Sequence, residues 1–282
     1  MRVLWVLGFF CVACGGDDVA SDAAGRDASP PDACACAPDV GIPEDSGSRP
    51  DAGSDAPEVG TPVIVAVGYG GLRVRSTDLG ATFTDETHLT ESGGDDMALL
   101  RAVAFGNGRF VALGWFFYSS TDGVDWDAHD NPHGQWAGAV AFGNGMFLAS
   151  GGGGYCARST NGTDWEQCTD VNGDAGFVHV RSVLFHDGQF HAADQDGVLY
   201  RSTDGDVWEV ENGSFGDAWA AVVDGAIVPR AQDAPWEGAG ISLRGGSGVI
   251  QRSTGGAFED VYDVPAGNGV FQAHRFAFAI SR

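Results

Sequence analysis

The feature that most constrains this chain is one passage written three times over. Residues 101–126 read RAVAFGNGRFVALGWFFYSSTDGVDW, residues 138–165 read GAVAFGNGMFLASGGGGYCARSTNGTDW, and residues 181–208 read RSVLFHDGQFHAADQDGVLYRSTDGDVW. A chain that repeats itself builds one small unit several times and buries each copy against the next. Within each copy an alternating apolar run, a Gly-containing turn and a second apolar run lead to a Ser-Thr turn and an aromatic. Alternation of period two specifies strands, and no stretch of the repeat shows helical periodicity.

The turn serine recurs at Ser76, Ser120, Ser159, Ser202 and Ser253, at intervals of 44, 39, 43 and 51 residues. Each is followed by an aromatic, in order Phe83, Trp126, Trp165, Trp208 and Phe258. Four short strands every 40 to 50 residues is the pattern of a β-propeller blade. The first copy begins at "PVIVAVGYGG" without an innermost strand, whereas the C-terminal "HRFAFAISR" aligns with "LRAVAF" and "VRSVLF". The expectation is an all-β, five-bladed propeller over residues 61–282, in which the C-terminal strand closes the first blade and removes its open edge. The long last interval is read as an insertion, residues 229–248, between two strands of the fifth blade.

Ser76, Asp78, Gly80 and Phe83, in "STDLGATF", resemble the Asp-box of the sialidase-like, BNR-type repeat propellers. Ser120, Asp122 and Trp126, Ser159 and Trp165, and Ser202, Asp204 and Trp208 resemble a form one residue shorter. The third box has Asn161 in place of the acid, and "STGGAF" at Ser253 lacks it. A Ser hydroxyl and an Asp carboxylate can accept backbone N–H groups of a tight turn while the aromatic packs between sheets. The boxes are therefore expected to be structural staples, and the resemblance implies that ligands bind at the opposite end of the blades.

The first 60 residues differ in kind. Residues 1–13 read as a secretory signal peptide, because the apolar run is too short to span a bilayer. It ends in "CVACG", which resembles a bacterial lipobox and makes Cys14 the expected lipid anchor. Residues 14–60 carry eleven acids against Arg26 and Arg49, with too few large apolar side chains to offset chain entropy, so a disordered acidic tether is expected. The predicted location is the envelope of a bacterium, at the outer membrane. With a formal charge of −24 and no lysine, no nucleic-acid partner is expected. Cys34 and Cys36 leave a disulfide or free thiols open. Pairing Ala157 with Gln167 across the third box hairpin sets Cys156 opposite Cys168, where a disulfide can form.

No histidine or cysteine spacing fits a metal site, and no cofactor is expected. The loop end of the blades is the place to look for ligand contacts: Trp236 and Glu237 in the insertion, with Tyr69, Trp136, Tyr155 and Asp194 on neighbouring loops. Trp236 serves equally well as a residue that folds the long loop down. The preferred function is non-catalytic binding of a protein or glycan by a monomer. A glycoside hydrolase using two of Asp95, Asp96, Asp194, Asp196 and Glu237 is the alternative, and a structural surface protein is the second. Arg101, Arg181 and Arg275 recur at one repeat position, but alternation puts Arg101 and Arg181 on the face of Val103 and Val183, between blades.

Overall fold

A computed structural model describes residues 62–88, 98–171, 179–216, 219–231, 234–246, 248–263 and 277–281. All of them lie in the second of two units, Pro57–Arg282. The signal peptide, Cys14, the tether, Cys34 and Cys36, Asp95 and Asp96, and Arg275 lie outside the described residues.

Every described strand but the C-terminal one pairs antiparallel with a neighbour in sequence. The first sheet holds β1 (Ile64–Val67), β2 (Arg73–Ser76) and β3 (Thr84–Thr87). The second holds β4 (Leu100–Gly106), β5 (Arg109–Gly114), β6 (Phe117–Ser120) and β7 (Asp127–His129). The third holds β8 (Ala137–Gly143), β9 (Met146–Gly151), β10 (Cys156–Ser159) and β11 (Glu166–Gln167). The fourth holds β12 (Val180–His186), β13 (Gln189–Asp194), β14 (Val198–Ser202) and β15 (Glu209–Ser214). A two-stranded sheet follows, β16 (Trp219–Val223) and β17 (Ala226–Arg230). The last sheet holds β18 (Trp236–Gly238), β19 (Ile241–Gly246), β20 (Val249–Ser253) and β21 (Glu259–Asp263). The C-terminal β22 (Ala277–Ile280) returns to β1, pairing Val67 with Ala277 and Ile64 with Ile280. Its innermost place in the first sheet is the one expected from the sequence.

The sheets stand as blades. Along the inner edge β22 runs beside β4, β4 beside β8, β8 beside β12 and β12 beside β16, while β18 lies beside β22. Two-residue turns with both residues at positive φ join the first and second strands: Asn107-Gly108, Asn144-Gly145, Asp187-Gly188, Asp224-Gly225 and Ala239-Gly240. Such turns match the twist of a hairpin and favour Asn-Gly or Asp-Gly. In the third sheet the register is Ala157 to Gln167, and Cys156 and Cys168 are bonded with their Cα atoms 5.2 Å apart.

Four apolar clusters join successive four-stranded sheets. Val65 and Val67 meet Phe110 and Ala112 between the first and second, and Val111 and Phe117 meet Phe147 and Tyr155 between the second and third. Leu148 and Cys156 meet Phe190 and Tyr200 between the third and fourth. Ile64 and Val74 meet Leu243 and Ile250 between the first and the last. The two-stranded sheet contributes to none of these clusters.

Residues 229–248 are thus not a loop inserted in a blade, as the sequence suggested. They end β17 and supply β18 and β19, the first two strands of the sheet that carries the Ser253 box. The repeat hid them because their turn is Ala239-Gly240, not Asn-Gly or Asp-Gly. Each of the five boxes falls between the third and fourth strands of a four-stranded sheet; β16 and β17 form a sixth, boxless sheet. Its sequence explains why it stops at two strands. Counted from the turn, Pro229 stands where Ala112, Ala149 and Ala192 pair with a third strand, and proline has no N–H to give such a neighbour.

Candidate ligand face

The two ends of the blades differ in chemistry. One end carries the box turns. In the first, the Ser76 hydroxyl accepts the Gly80 N–H at 2.8 Å and donates to Asp78 at 2.7 Å. The Asp78 carboxylate also accepts the Thr82 N–H at 2.9 Å and the Thr82 hydroxyl at 2.6 Å. In the second, Asp122 accepts the Val124 and Asp125 N–H groups and the Trp126 indole donates to the Gly123 carbonyl. Asp204 does the same for Asp206 and Val207, and Asn161 for Thr163 and Asp164. Gly123 has φ +83°, and a Cβ there would come within 2.7 Å of Val65 in the first sheet. The turn therefore needs glycine for its conformation and for its approach to the neighbouring blade. The same contact runs from Gly162 to Val111 and from Gly205 to Leu148, but nothing lies within 4 Å of a Cβ on Gly256, the glycine at that place in the last box. The box at Ser253 has no wall to pack on, in keeping with its loss of the acid.

These carboxylates work as hydrogen-bond acceptors. Burial pushes the Asp78 carboxyl up, but the bonds from Thr82, Ser76 and the turn backbone together outweigh it and hold it down at about 2. The Val124 N–H leads in lowering Asp122, and the Val207 N–H in lowering Asp204. With native values below the ordinary carboxylate range, the folded state binds fewer protons than the unfolded one. Their contribution is complete above about pH 4 and is lost as pH falls through the native values. Thermal melts should show falling stability from pH 5 to pH 2, and Asp122→Asn should reduce that fall while changing little at pH 7, since Asn161 makes the same bonds. An identical acid slope in the variant would separate the box from the acid sensitivity.

The other end carries the connections between sheets and between second and third strands. Three inner strands open with a bulge, where Leu100 pairs with Gly114 but Ala102 with Leu113, Ala137 with Gly151 but Ala139 with Ser150, and Val180 with Asp194 but Ser182 with Ala193. The extra residues are Arg101, Gly138 and Arg181. A bulge breaks the alternation, so the parity that assigned Arg101 and Arg181 to the Val103 and Val183 face does not apply. The Arg101 guanidinium lies over the Trp136 ring at 4.7 Å, and His179 meets the same ring edge-on at 5.4 Å. Gly138 leaves room for this: a Cβ there would sit 2.7 Å from the indole. On the second sheet's connection, Phe116 is 48 % exposed.

The remaining expected residues are placed differently. Tyr155 is buried; its hydroxyl donates to Asn131 at 3.2 Å, its ring meets His133 at 4.7 Å, and burial pushes its pKa up. Asp194 is also buried and accepts the Asp196 and Val198 N–H groups and the Tyr200 hydroxyl, each at 2.9 Å. Burial first, and then this carboxylate, push the Tyr200 pKa to about 12. Tyr69 is buried in the connection between β1 and β2. Trp236 lies within β18 with its ring 6.4 Å from Phe278, and Glu237 accepts the Ser242 hydroxyl at 2.7 Å. Trp136 and Tyr155 lie on connections of the third sheet and Trp236 and Glu237 in β18, while Tyr69 and Asp194 belong to the first and fourth sheets. Arg101, His179 and His133 were missed as partners of Trp136 and Tyr155 because a bulge and an edge-on ring contact leave no mark in spacing. Among the described residues no group of three or more His, Cys, Asp or Glu side chains is arranged to hold a metal ion.

No protein-family model and no curated protein matches the sequence. Solved structures do. A nidogen/laminin complex aligns at 10 % identity over 78 % of this chain and 98 % of that one, with a TM-score of 0.52. YCF48 bound to D1 peptide aligns at 16 % identity over 70 % and 76 %, TM-score 0.43. The WD40 β-propeller domain of Doa1 aligns at 14 % identity over 57 % and 56 %, TM-score 0.34. These likenesses speak to fold alone: the described part of the chain is an all-β protein of the β-propeller fold.

Proposed function

We propose that this chain is a lipid-anchored protein of a bacterial envelope, a member of the Asp-box propellers, that binds a protein or glycan ligand through the loop end of its blades without catalysis. The observation that carries the binding reading is the stack of Arg101, Trp136 and His179 at the bulged starts of the inner strands. An indole and a guanidinium in one layer present an apolar face and fixed donors side by side, which suits a sugar ring or a polar peptide. The hydrolase alternative draws less support: Asp194 is spent on three hydrogen bonds within its own hairpin. The lipobox-like "CVACG" and the acidic stretch that follows support display at a membrane.

The test is a ligand screen on the full chain with glycan arrays and envelope proteins, followed by Trp136→Ala. Affinity should fall at least about tenfold, roughly 1.4 kcal/mol, with an unchanged melting temperature. Binding that survives the substitution would move the site away from this face.

A further inference from the structure

A groove of about 440 Å³ lies at the opposite end, against the third box turn, with Met146, Arg158, Asn161, Asp164, Trp165 and Glu166 among its lining. We propose that this groove docks an arginine side chain presented by a basic segment of a partner protein. The argument begins with how the third sheet departs from its neighbours. At the start of the second strand, the second sheet has Arg109 and the fourth Gln189, whereas the third has Met146. Arg109 reaches Ser119 at 3.0 Å, so a basic side chain occupies this place in the second sheet. Methionine takes the charge away and leaves an adaptable apolar surface in the groove that the Trp165 indole also lines.

The rim is acidic in excess. Arg158 is held by Glu166 at 2.7 Å, which leaves Asp164 within the groove and, on the fourth sheet's box turn, Asp204 and Asp206, both near enough to act on the Arg158 charge. Asn161 donates to Asp164 at 2.8 Å and fixes one of its oxygens. An apolar floor with an indole and carboxylates at the rim is complementary to a long side chain that ends in a planar cation. Arginine stacks on aromatic rings and takes carboxylates two bonds at a time; an ammonium group does neither as well. The chain's formal charge of −24 works the same way at longer range, drawing in basic partners and repelling a second copy.

The experiment uses the full chain, labelled for indole N–H signals and titrated with acetyl-Gly-Arg-Gly-amide and its lysine counterpart. The Trp165 signal is expected to shift with the arginine peptide, and at least about tenfold more peptide should be needed with Met146→Arg, which fills the groove as Arg109 does in the second sheet. The pair Asp164→Asn and Glu166→Gln, both at exposed positions, should weaken binding in the same direction if Met146→Arg disturbs the fold. Trp136→Ala, at the other end of the blades, should leave the titration unchanged, so failure here and failure of the loop-face reading are separable. A Trp165 shift that persists in both groove variants overturns the proposal. Indole signals moving together along the whole chain, equal response to the lysine peptide, or self-association of the chain at this groove would do the same.

Discussion

Removal of Ala277–Arg282 should leave a chain that does not fold to a monomer. β22 is the innermost strand of the first sheet, and it also carries side chains into two of the four cores: Phe278 joins the cluster shared with the last sheet, and Ala279 the one shared with the second. The strand is fastened at its end as well, where the Ser281 N–H donates to the Val63 carbonyl at 2.8 Å and the Val63 N–H to the Ser281 hydroxyl at 2.7 Å. Losing a buried phenylalanine costs about 3–5 kcal/mol and each net hydrogen bond about 1 kcal/mol. The total is of the order of a domain's whole stability. The truncation would also bare the inner edge of β1 for pairing with other chains. Circular dichroism and size-exclusion chromatography should show lost cooperativity or aggregates. A soluble monomer with the parent's melting temperature would contradict the role given to β22.

Phe147→Ala should destabilise the domain by about 3–5 kcal/mol, the range for deleting a fully buried aromatic. Phe147 is entirely buried where the second sheet meets the third, with Phe142 at 4.8 Å and Trp165 at 6.3 Å. The backbone turn at Gly162 closes over it, a Cβ there lying 3.3 Å from its ring, so the site cannot collapse easily. Val222→Ala supplies the contrast: Val222 is 41 % exposed on β16, outside all four cores. That change should stay within about 0.5 kcal/mol. Urea melts of the two variants compare them directly, and similar losses would mean that the two-stranded sheet shares a core that the packing does not show.

Most of the fold was legible because it is local. Positive-φ turns advertise themselves as Asn-Gly and Asp-Gly, alternation reports strands, and a Ser-x-Asp turn satisfies its own backbone within a few residues. Even the Cys156–Cys168 bond followed from counting residues either side of one hairpin. Where the turn used Ala239 at φ +51°, the signal vanished, and two real strands looked like an insertion. Pro229 was present in the sequence throughout, but its meaning required a register, since a proline stops a sheet only on the side where its N–H would have pointed.

The candidate site was less legible because it depends on contacts between copies of the repeat. The sequence alone determined that the chain would build repeated four-stranded sheets, staple their outer hairpins with boxes and close the first sheet with its last strand, all consequences of short-range backbone chemistry. Only the tertiary structure decided that Arg101 turns out of alternation to stack on Trp136, that Trp236 is spent against Phe278, and that Met146 opens a groove where Arg109 closes the corresponding one. Side chains far apart in sequence meet there through packing between sheets. A bulge of one residue or a missing N–H redirects that packing without changing the pattern of apolar and polar letters along the chain.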